Sequence, residues 1–195
     1  MLKTIALDST RLQRLQQTPL WDFAIALYAK PGVEEACLSL QEEAGLDVCE
    51  VLFHCWLYAS GLEATPSALA HQREQRRLWQ CQVTEVLRGL RRDLKATATS
   101  NDSVKALRET IKQAELMAER ENLQRWQTWA CEAQNHEQRV ANIADMPQDV
   151  AKWLLNQLLF SQSADPGSGG SNEQNGCFHS LQTLTYQLDP QQGAR

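Results

Sequence analysis

Long apolar runs are missing from these 195 residues. The richest apolar stretch, Val48 to Ala59, is well short of the roughly 20 residues that span a bilayer. Met1 to Gln17 contains no continuous apolar block of the kind that opens a secretory leader. Charge of one sign is also scarce. The 19 Lys and Arg face 24 Asp and Glu, a net of -5, which argues against a surface built to coat nucleic acid. A G-x-S-x-G elbow, a phosphate-cradling glycine loop and a dinucleotide fingerprint are all missing. So is any strand-type alternation. No reaction and no cofactor is specified by motif.

Paired metal ligands are lacking too. The six cysteines, Cys37, Cys49, Cys55, Cys81, Cys131 and Cys177, contain no C-x-x-C pair. Several fall inside helical patterns, where cysteine packs as a small hydrophobe. Free thiols in a reducing cytoplasm are therefore expected. Cys49, His54 and Cys55 suggest zinc at first sight. However, His54 and Cys55 are adjacent, so on a helix they point about 100° apart, and zinc sites want ligands that converge. His71, His136 and His179 stand apart from them. No metal is expected.

What the chain does contain is helical punctuation. Thr18-Pro19 reads as a cap followed by a first-turn proline, opening a helix from about Leu20 to Ala29. Pro31 reads as the start of a second helix, with Val33, Ala36, Cys37, Leu40 and Ala44 as its stripe and Gly45 as its end. Asp47 with Glu50 three residues on has the spacing of a reciprocal N-cap. The helix over about 48–60 is apolar nearly all round, which predicts a central, buried element. Thr65-Pro66 opens a fourth helix reaching about Lys95, with a break anticipated near Cys81 to Thr84. Its apolar stripe is Trp79, Val83, Val86, Leu87, Leu90 and Leu94. A fifth helix over about 102–132 would be ~45 Å long at helical rise, with its far end overhanging or kinking. Pro147 reads as the start of a last short helix.

The expectation is an all-α fold, one bundle of about six helices over residues 1–160. Residues 161–195 form a flexible polar tail, because Asp165 to Gly170 is a linker composition. Cys177 to Leu188 regains apolar residues, as a docking peptide or transient helix, but disorder is the default for a chain end.

Three groups of side chains are candidates for function. Arg108, Lys112, Glu115 and Glu119 share one strip of the fifth helix. Glu115 and Glu119 are a like-charged pair four apart, which disfavours a helix unless a cation lies between them. Lys112, Glu115 and Glu119 are read as a polar pocket at the bundle's edge, with Asp22 or Gln41 opposite, against the commoner reading of a solvated, salt-bridged face. Arg73, Arg77, Arg88, Arg91 and Lys95 make a basic strip on the fourth helix, read as a contact for RNA phosphates or an acidic protein, or again as a solvated face. Trp126, Trp129 and Trp153 either close the bundle or present a sticky interface patch.

Two stretches carry a resemblance. One runs Leu20-Trp21-Asp22-Phe23-Ala24-Ile25-Ala26-Leu27-Tyr28, then Pro31-Gly32-Val33-Glu34-Glu35-Ala36-Cys37-Leu38, to Gly45-Leu46-Asp47-Val48. The other is Lys112-Gln113-Ala114-Glu115-Leu116-Met117-Ala118-Glu119-Arg120. Together they resemble a family of short proteobacterial proteins, known from pseudomonads and vibrios and classed as a domain of unknown function. The likeness covers about residues 18–130. It implies no activity. It implies a poorly defined C-terminal region, in agreement with the tail. It also implies an asparagine where this chain has Cys49, so a site using that asparagine is altered here.

The favoured reading is a non-enzymatic cytoplasmic interaction protein, binding a protein partner or a second copy of itself through the basic strip or the Trp126–Trp129 end. Nucleic acid is a weaker option, and a membrane is not expected. The alternative is a small-ligand or metal-binding bundle, with or without catalysis, using Asp22, Gln41, Lys112, Glu115 and Glu119.

Overall fold

A computed structural model describes residues 13, 15–132, 139–159 and 171–188. It is all-α apart from one short two-stranded ribbon.

Helix α1 (Leu20–Tyr28) does begin after Pro19, but Thr18 is not its cap. Other helices tie down this start through one free helix-start N–H and one preceding carbonyl. Leu20 N donates to Gln127 Oε1 at 2.7 Å, and the Thr18 carbonyl accepts from Trp56 Nε1 at 2.7 Å. Helix α2 (Val33–Glu42) starts two residues later than Pro31 suggested. Gly32 forms the turn at φ +79°, a conformation that favours glycine.

Helix α3 (Val48–Ala59) is the core. Cys49 and every residue from Val51 to Leu57 are buried. Phe53, Trp56 and Leu57 alone each contribute about 1.5–3 kcal/mol by leaving water. Asp47 caps this helix, its Oδ1 accepting from Cys49 N at 2.9 Å. Glu50 does not reach back to complete the box. It turns to Arg73 Nε at 2.5 Å and faces His54 Nε2 at 3.4 Å.

Strand β1 (Leu62–Ala64) follows and pairs antiparallel with β2 (Val140–Asn142), Leu62 opposite Asn142. No strand was expected from the sequence. Three residues are too few to display a period of two.

Helix α4 (Pro66–Trp79) runs into a π-helical segment, Gln80–Thr84, and then α5 (Glu85–Asp93). The anticipated break is thus a change of helix type, with no interruption of the chain's course. A 3₁₀ turn (Thr97–Thr99) leads to α6 (Asp102–Cys131), capped by Asn101 Oδ1 accepting from Val104 N at 3.1 Å.

The overhang of α6 is at the opposite end from the one expected. Its C-terminal half is the buried half, through Ala118, Asn122, Leu123, Trp126 and Ala130. Before Glu115 no residue of α6 is buried, because Val104, Leu107 and Ile111 lie in a two-helix hairpin with α5. Trp126 is wholly buried, stacked on Phe53 at 4.6 Å, and half-buried Trp129 meets its edge at 6.0 Å. Both tryptophans are core side chains.

Helix α7 (Val150–Leu159) starts three residues after Pro147, where Asp149 Oδ1 accepts from Lys152 N at 2.9 Å. Helix α8 (Ser171–Leu188) lies within the span read as a tail and includes Cys177 to Leu188, for which the sequence also offered a docking peptide or transient helix. It packs on α2 and α7, with Leu181 and Leu184 fully buried. Its period of three and four residues was present in the sequence, but the surface that receives it was not visible there. Gly32 helps to make that surface, since a Cβ added there would lie 3.2 Å from Thr183 Cγ2. Lys30 Nζ then donates to Gln187 O at 2.6 Å. Asp165 to Gly170, the linker part of the tail, lies outside the described residues. Among the described residues, no helix is long and apolar enough to cross a membrane.

If α8 belongs to the core, Leu184→Ala lowers unfolding stability by about 2–5 kcal/mol, as burial in a packed interior requires. Urea denaturation measures it. A change under about 0.5 kcal/mol, the surface range, would show α8 to be dispensable.

Candidate ligand-binding site

The polarity of α5 is turned inside out. Val86 and Leu90 are about half exposed, while Arg88 is buried, its side chain 6% exposed. A buried guanidinium needs partners for all its donors, and α6, α2 and α5 itself supply them. Arg88 Nε donates to Glu115 Oε1 at 2.9 Å, Nη2 to Glu119 Oε1 at 2.9 Å, and Nη1 to Glu85 Oε1 at 2.6 Å. Gln41 of α2, with its amide oxygen turned to Arg88, accepts from Nε at 3.2 Å and Nη2 at 3.0 Å. Arg91, one turn along, bonds Glu115 through Nε and again through Nη2 at 3.2 Å. Arg108 Nε donates to the Arg91 carbonyl at 3.1 Å.

Two strips that the sequence offers as separate faces are therefore one network. The arginines of the fourth helix are the cations that Glu115 and Glu119 require between them. This network forms one wall of a cleft of about 840 Å³ between α1, α2, α3, α5 and α6. The cleft's apolar lining includes Trp21, Ile25, Leu38, Leu52, Leu116 and Leu123, with Cys49 beside them, and Glu34 and Glu42 of α2 also line it.

Of the pocket candidates, Gln41, Lys112, Glu115 and Glu119 line this cleft. Asp22 does not; it is exposed and lies outside the lining. Of the basic strip, Arg88, Arg91 and Lys95 line the same cleft. Arg73 is drawn away from them, bonded to Glu50 and the Gln157 carbonyl, which ties α4 to α3 and α7. Arg77 is exposed and pairs with Glu74 at 2.7 Å. The five side chains thus do not present one solvated face. Trp126 and Trp129 do not line the cleft. The sequence reading missed the apolar wall. Its signal was Trp21, Ile25 and Tyr28, apolar side chains that crowd the flank of α1 beyond what its core face needs.

The two carboxylates of α6 differ in electrostatics. Burial pushes Glu115 up, but the bonds from Arg91 and Arg88 outweigh it and hold it below the usual carboxylate range. Glu119 has only Arg88, and there burial prevails and holds its carboxyl above the ordinary value. Burial also pulls at Arg88, yet its bonds with Glu115 and its carboxylate neighbours keep it charged. Burial pushes the Tyr28 phenol up to about 12 and the Cys49 thiol well above its ordinary value, so both are protonated at neutral pH. Lys95 and Lys112 are exposed cations at the rim. The Lys112 ammonium meets only Glu109, at 3.9 Å, and Lys95 has no side-chain partner among the described residues.

Below the cleft, the inward face of α4 and the π-segment stays polar through Gln72, Arg76 and Thr84. Arg76 is 7% exposed, with Nε and Nη1 lacking a partner among the described residues. The buried histidine, His54, faces Glu50, and Cys49 Sγ points to the Glu119 carbonyl at 3.9 Å.

An all-α domain with an amphipathic cleft is thus the class that fold and site define. Residues 19–126 match the family described as a protein of unknown function, DUF2390, and the chain belongs to that family. The matched span contains every residue that lines the cleft, from Trp21 to Leu123. No curated protein and no solved structure matches the chain.

Two stability predictions follow from these partners. Arg88→Met strands Glu119, takes one of the two arginines from Glu115, and costs about 3–5 kcal/mol, the penalty for breaking a buried pair. Arg77→Ala costs at most about 1 kcal/mol, as for exposed pairs. Equal losses in chemical denaturation would refute the hub role of Arg88. The second concerns Asp47, whose carboxyl burial pushes up to about 6. A carboxyl raised on folding binds its proton more tightly in the native state, so its contribution to stability falls as pH rises from the usual carboxylate range through about 6. Asp47→Asn keeps a capping side chain and removes this penalty. The variant should gain on the wild type at neutral pH and lose that gain in acid, read from denaturation midpoints at the two pH values.

Proposed function

We propose that the protein is a ligand-binding helical domain whose cleft holds a small amphipathic anion. The observation that carries this reading is the convergence of Gln41, Lys112, Glu115, Glu119, Arg88, Arg91 and Lys95 on a cleft that apolar side chains also line. A cleft of about 840 Å³ has the size of sites that enclose small organic molecules. The apolar wall receives a hydrocarbon or ring body. The rim cations Lys95, Arg108 and Lys112 draw in and hold an acidic group. Contact with a macromolecule through the basic strip is the weaker reading, because Arg73, Arg88 and Arg91 are already bonded within the chain.

Titration calorimetry with decanesulfonate, below its micelle concentration, tests the proposal, with decanol as the uncharged control. One molecule of the sulfonate binds and the alcohol binds far more weakly. Lys112→Glu and Arg108→Glu each weaken binding by about tenfold, about 1.4 kcal/mol. Failure of the sulfonate to bind, or binding indifferent to both reversals, rejects the cleft as an anion site.

A second reading, contact with another protein chain, is favoured by Val86, Leu90 and Leu107, each about half exposed on the α5/α6 hairpin. Leu90→Glu then changes the oligomeric state by sedimentation and leaves sulfonate binding intact. An unchanged state removes this reading.

A further inference from the structure

Charge is not spread evenly along the cleft. Six cations line it against four carboxylates. Midway along α5 the charges are matched: Arg88 and Arg91 are held by Glu115 and Glu119, and Arg92 by Glu42 at 2.8 Å. Three cations are left over, Lys95 just past the end of α5 and Arg108 and Lys112 on α6. The remaining carboxylate of the lining is Glu34, exposed on α2. Arg108 Nε donates to the Arg91 carbonyl at 3.1 Å, which sets its guanidinium beside α5. Its two Nη groups have no partner among the described residues. Lys112 meets only Glu109, at 3.9 Å, and both of those side chains are more than half exposed.

Arg108 and Lys112 are like charges one turn apart on α6, an arrangement that disfavours a helix unless an opposite charge lies between them. Glu115 and Glu119 pose the same problem further along, and there Arg88 answers it. For Arg108 and Lys112 no carboxylate of the cleft lining does so. The cleft also has a direction. Along α6 its lining runs Arg108, Lys112, Leu116, so hydrocarbon follows the last of these cations after about 6 Å of helical rise. Leu116 is 45% exposed, open to a ligand. One turn further on, Arg120 Cζ stands over the Trp21 ring at 5.4 Å from its centroid, which fixes Trp21 beside that part of α6. The order is charge first, then leucine, then tryptophan.

We propose that Lys95, Arg108 and Lys112 form a seat for a doubly charged phosphate, so that the ligand of the cleft is a phosphate monoester whose apolar body lies along Leu116 toward Trp21. The inference rests on the amphipathic-anion reading above and names its head group. A head group of one charge leaves the lining positive, whereas a dianion cancels the excess of cations over carboxylates. A phosphate monoester approaches two charges at neutral pH and presents three acceptor oxygens. The free Nη edge of Arg108 suits it, because a guanidinium fork can engage two phosphate oxygens at once. The two lysines act as point charges on flexible stems and close on the head group from either side. The dianion enters without breaking the bonds of Arg88, since none of the three seat residues takes part in them.

Decyl phosphate and decanesulfonate share a body and differ in head-group charge, so calorimetry with the full chain, each ligand below its micelle concentration, compares the two heads. The phosphate is doubly charged at about pH 8 and singly charged at about pH 5, its second ionisation falling near about 6. The sulfonate keeps one charge throughout and serves as the reference at each pH. The phosphate is expected to bind about tenfold more tightly than the sulfonate at about pH 8, and about equally at about pH 5. The double variant Lys95→Gln, Lys112→Gln, at two exposed positions, loses most of that preference. Arg77→Gln, at an exposed cation outside the cleft, keeps it. Inorganic phosphate, which lacks the body, binds far more weakly than decyl phosphate. Equal affinities at about pH 8, with both amphiphiles bound, overturn the dianion seat and leave the anion cleft standing. A preference that survives in the double variant, or is lost in Arg77→Gln, overturns the assignment to these residues. Inorganic phosphate as tight as decyl phosphate overturns the monoester in favour of the free ion. The wild-type comparison needs no variant to fold, and if neither amphiphile binds, this inference falls together with the reading beneath it.

Discussion

The guanidinium of Arg88 is the constraint around which the upper half of the molecule is organised. It enters from α5 and is met by Glu85 on its own helix, by Glu115 and Glu119 from α6, and by Gln41 from α2. A charge taken that far from water is tolerated only when its donors are all engaged. The helices that supply the acceptors must accordingly hold fixed separations. The cleft lies among these helices, with α5 held to α6 through Glu115 and Glu119 and to α2 through Gln41 and Glu42, and with α1 and α3 completing its lining. The hydrocarbon of Trp21, Ile25 and Leu38 lines that cleft together with the charged network.

The lower half is held by different means. Helix α3 is apolar on nearly every side and gathers α1, the C-terminal half of α6, α7 and α8 around Phe53, Trp56 and Leu57. That packing is non-directional, and it supplies the bulk of the burial. The ion-paired half fixes orientation, and the apolar half supplies cohesion. The polar inward face of α4, with Gln72, Arg76 and Thr84 buried, lies where the two regimes meet.

What was legible in the sequence divides along the same line. Apolar periodicity located α1, α2, α3 and α6 to within a few residues, and it identified α3 as central, because a helix with no polar face has nowhere to lie but inside. Glu115 and Glu119 could be singled out because a like-charged pair four apart implies a cation nearby. Which cation could not be read, since Arg88 is 27 residues from Glu115 in the chain. For the same reason, Arg73 and Arg88 read as surface charge: a composition or helical wheel shows a basic residue but not the carboxylate that will bury it. Asp22 shows the converse error, a carboxylate whose position on α1 turns it away from the cleft. For helix α8 the apolar spacing over Cys177 to Leu188 was legible, but chain-end composition says little about docking. Only the surface made by α2 and α7 decides that Leu181 and Leu184 have somewhere to go.

The π-helical segment Gln80–Thr84 joins the two halves through a single stretch of chain. A π-turn accommodates one residue more than the α-helical pitch, and one residue corresponds to about 100° of rotation. Everything downstream on α5 is therefore geared to everything upstream on α4 by that one extra residue. A single-residue deletion there would swing Arg88, Arg91 and Lys95 round as a set and put Gly89, Arg92 and Ala96 in their places, while α4 kept its own contacts. Length variation in this short segment, rather than substitution of any cleft residue, is a change by which a relative of this chain would lose the Arg88 hub at one stroke.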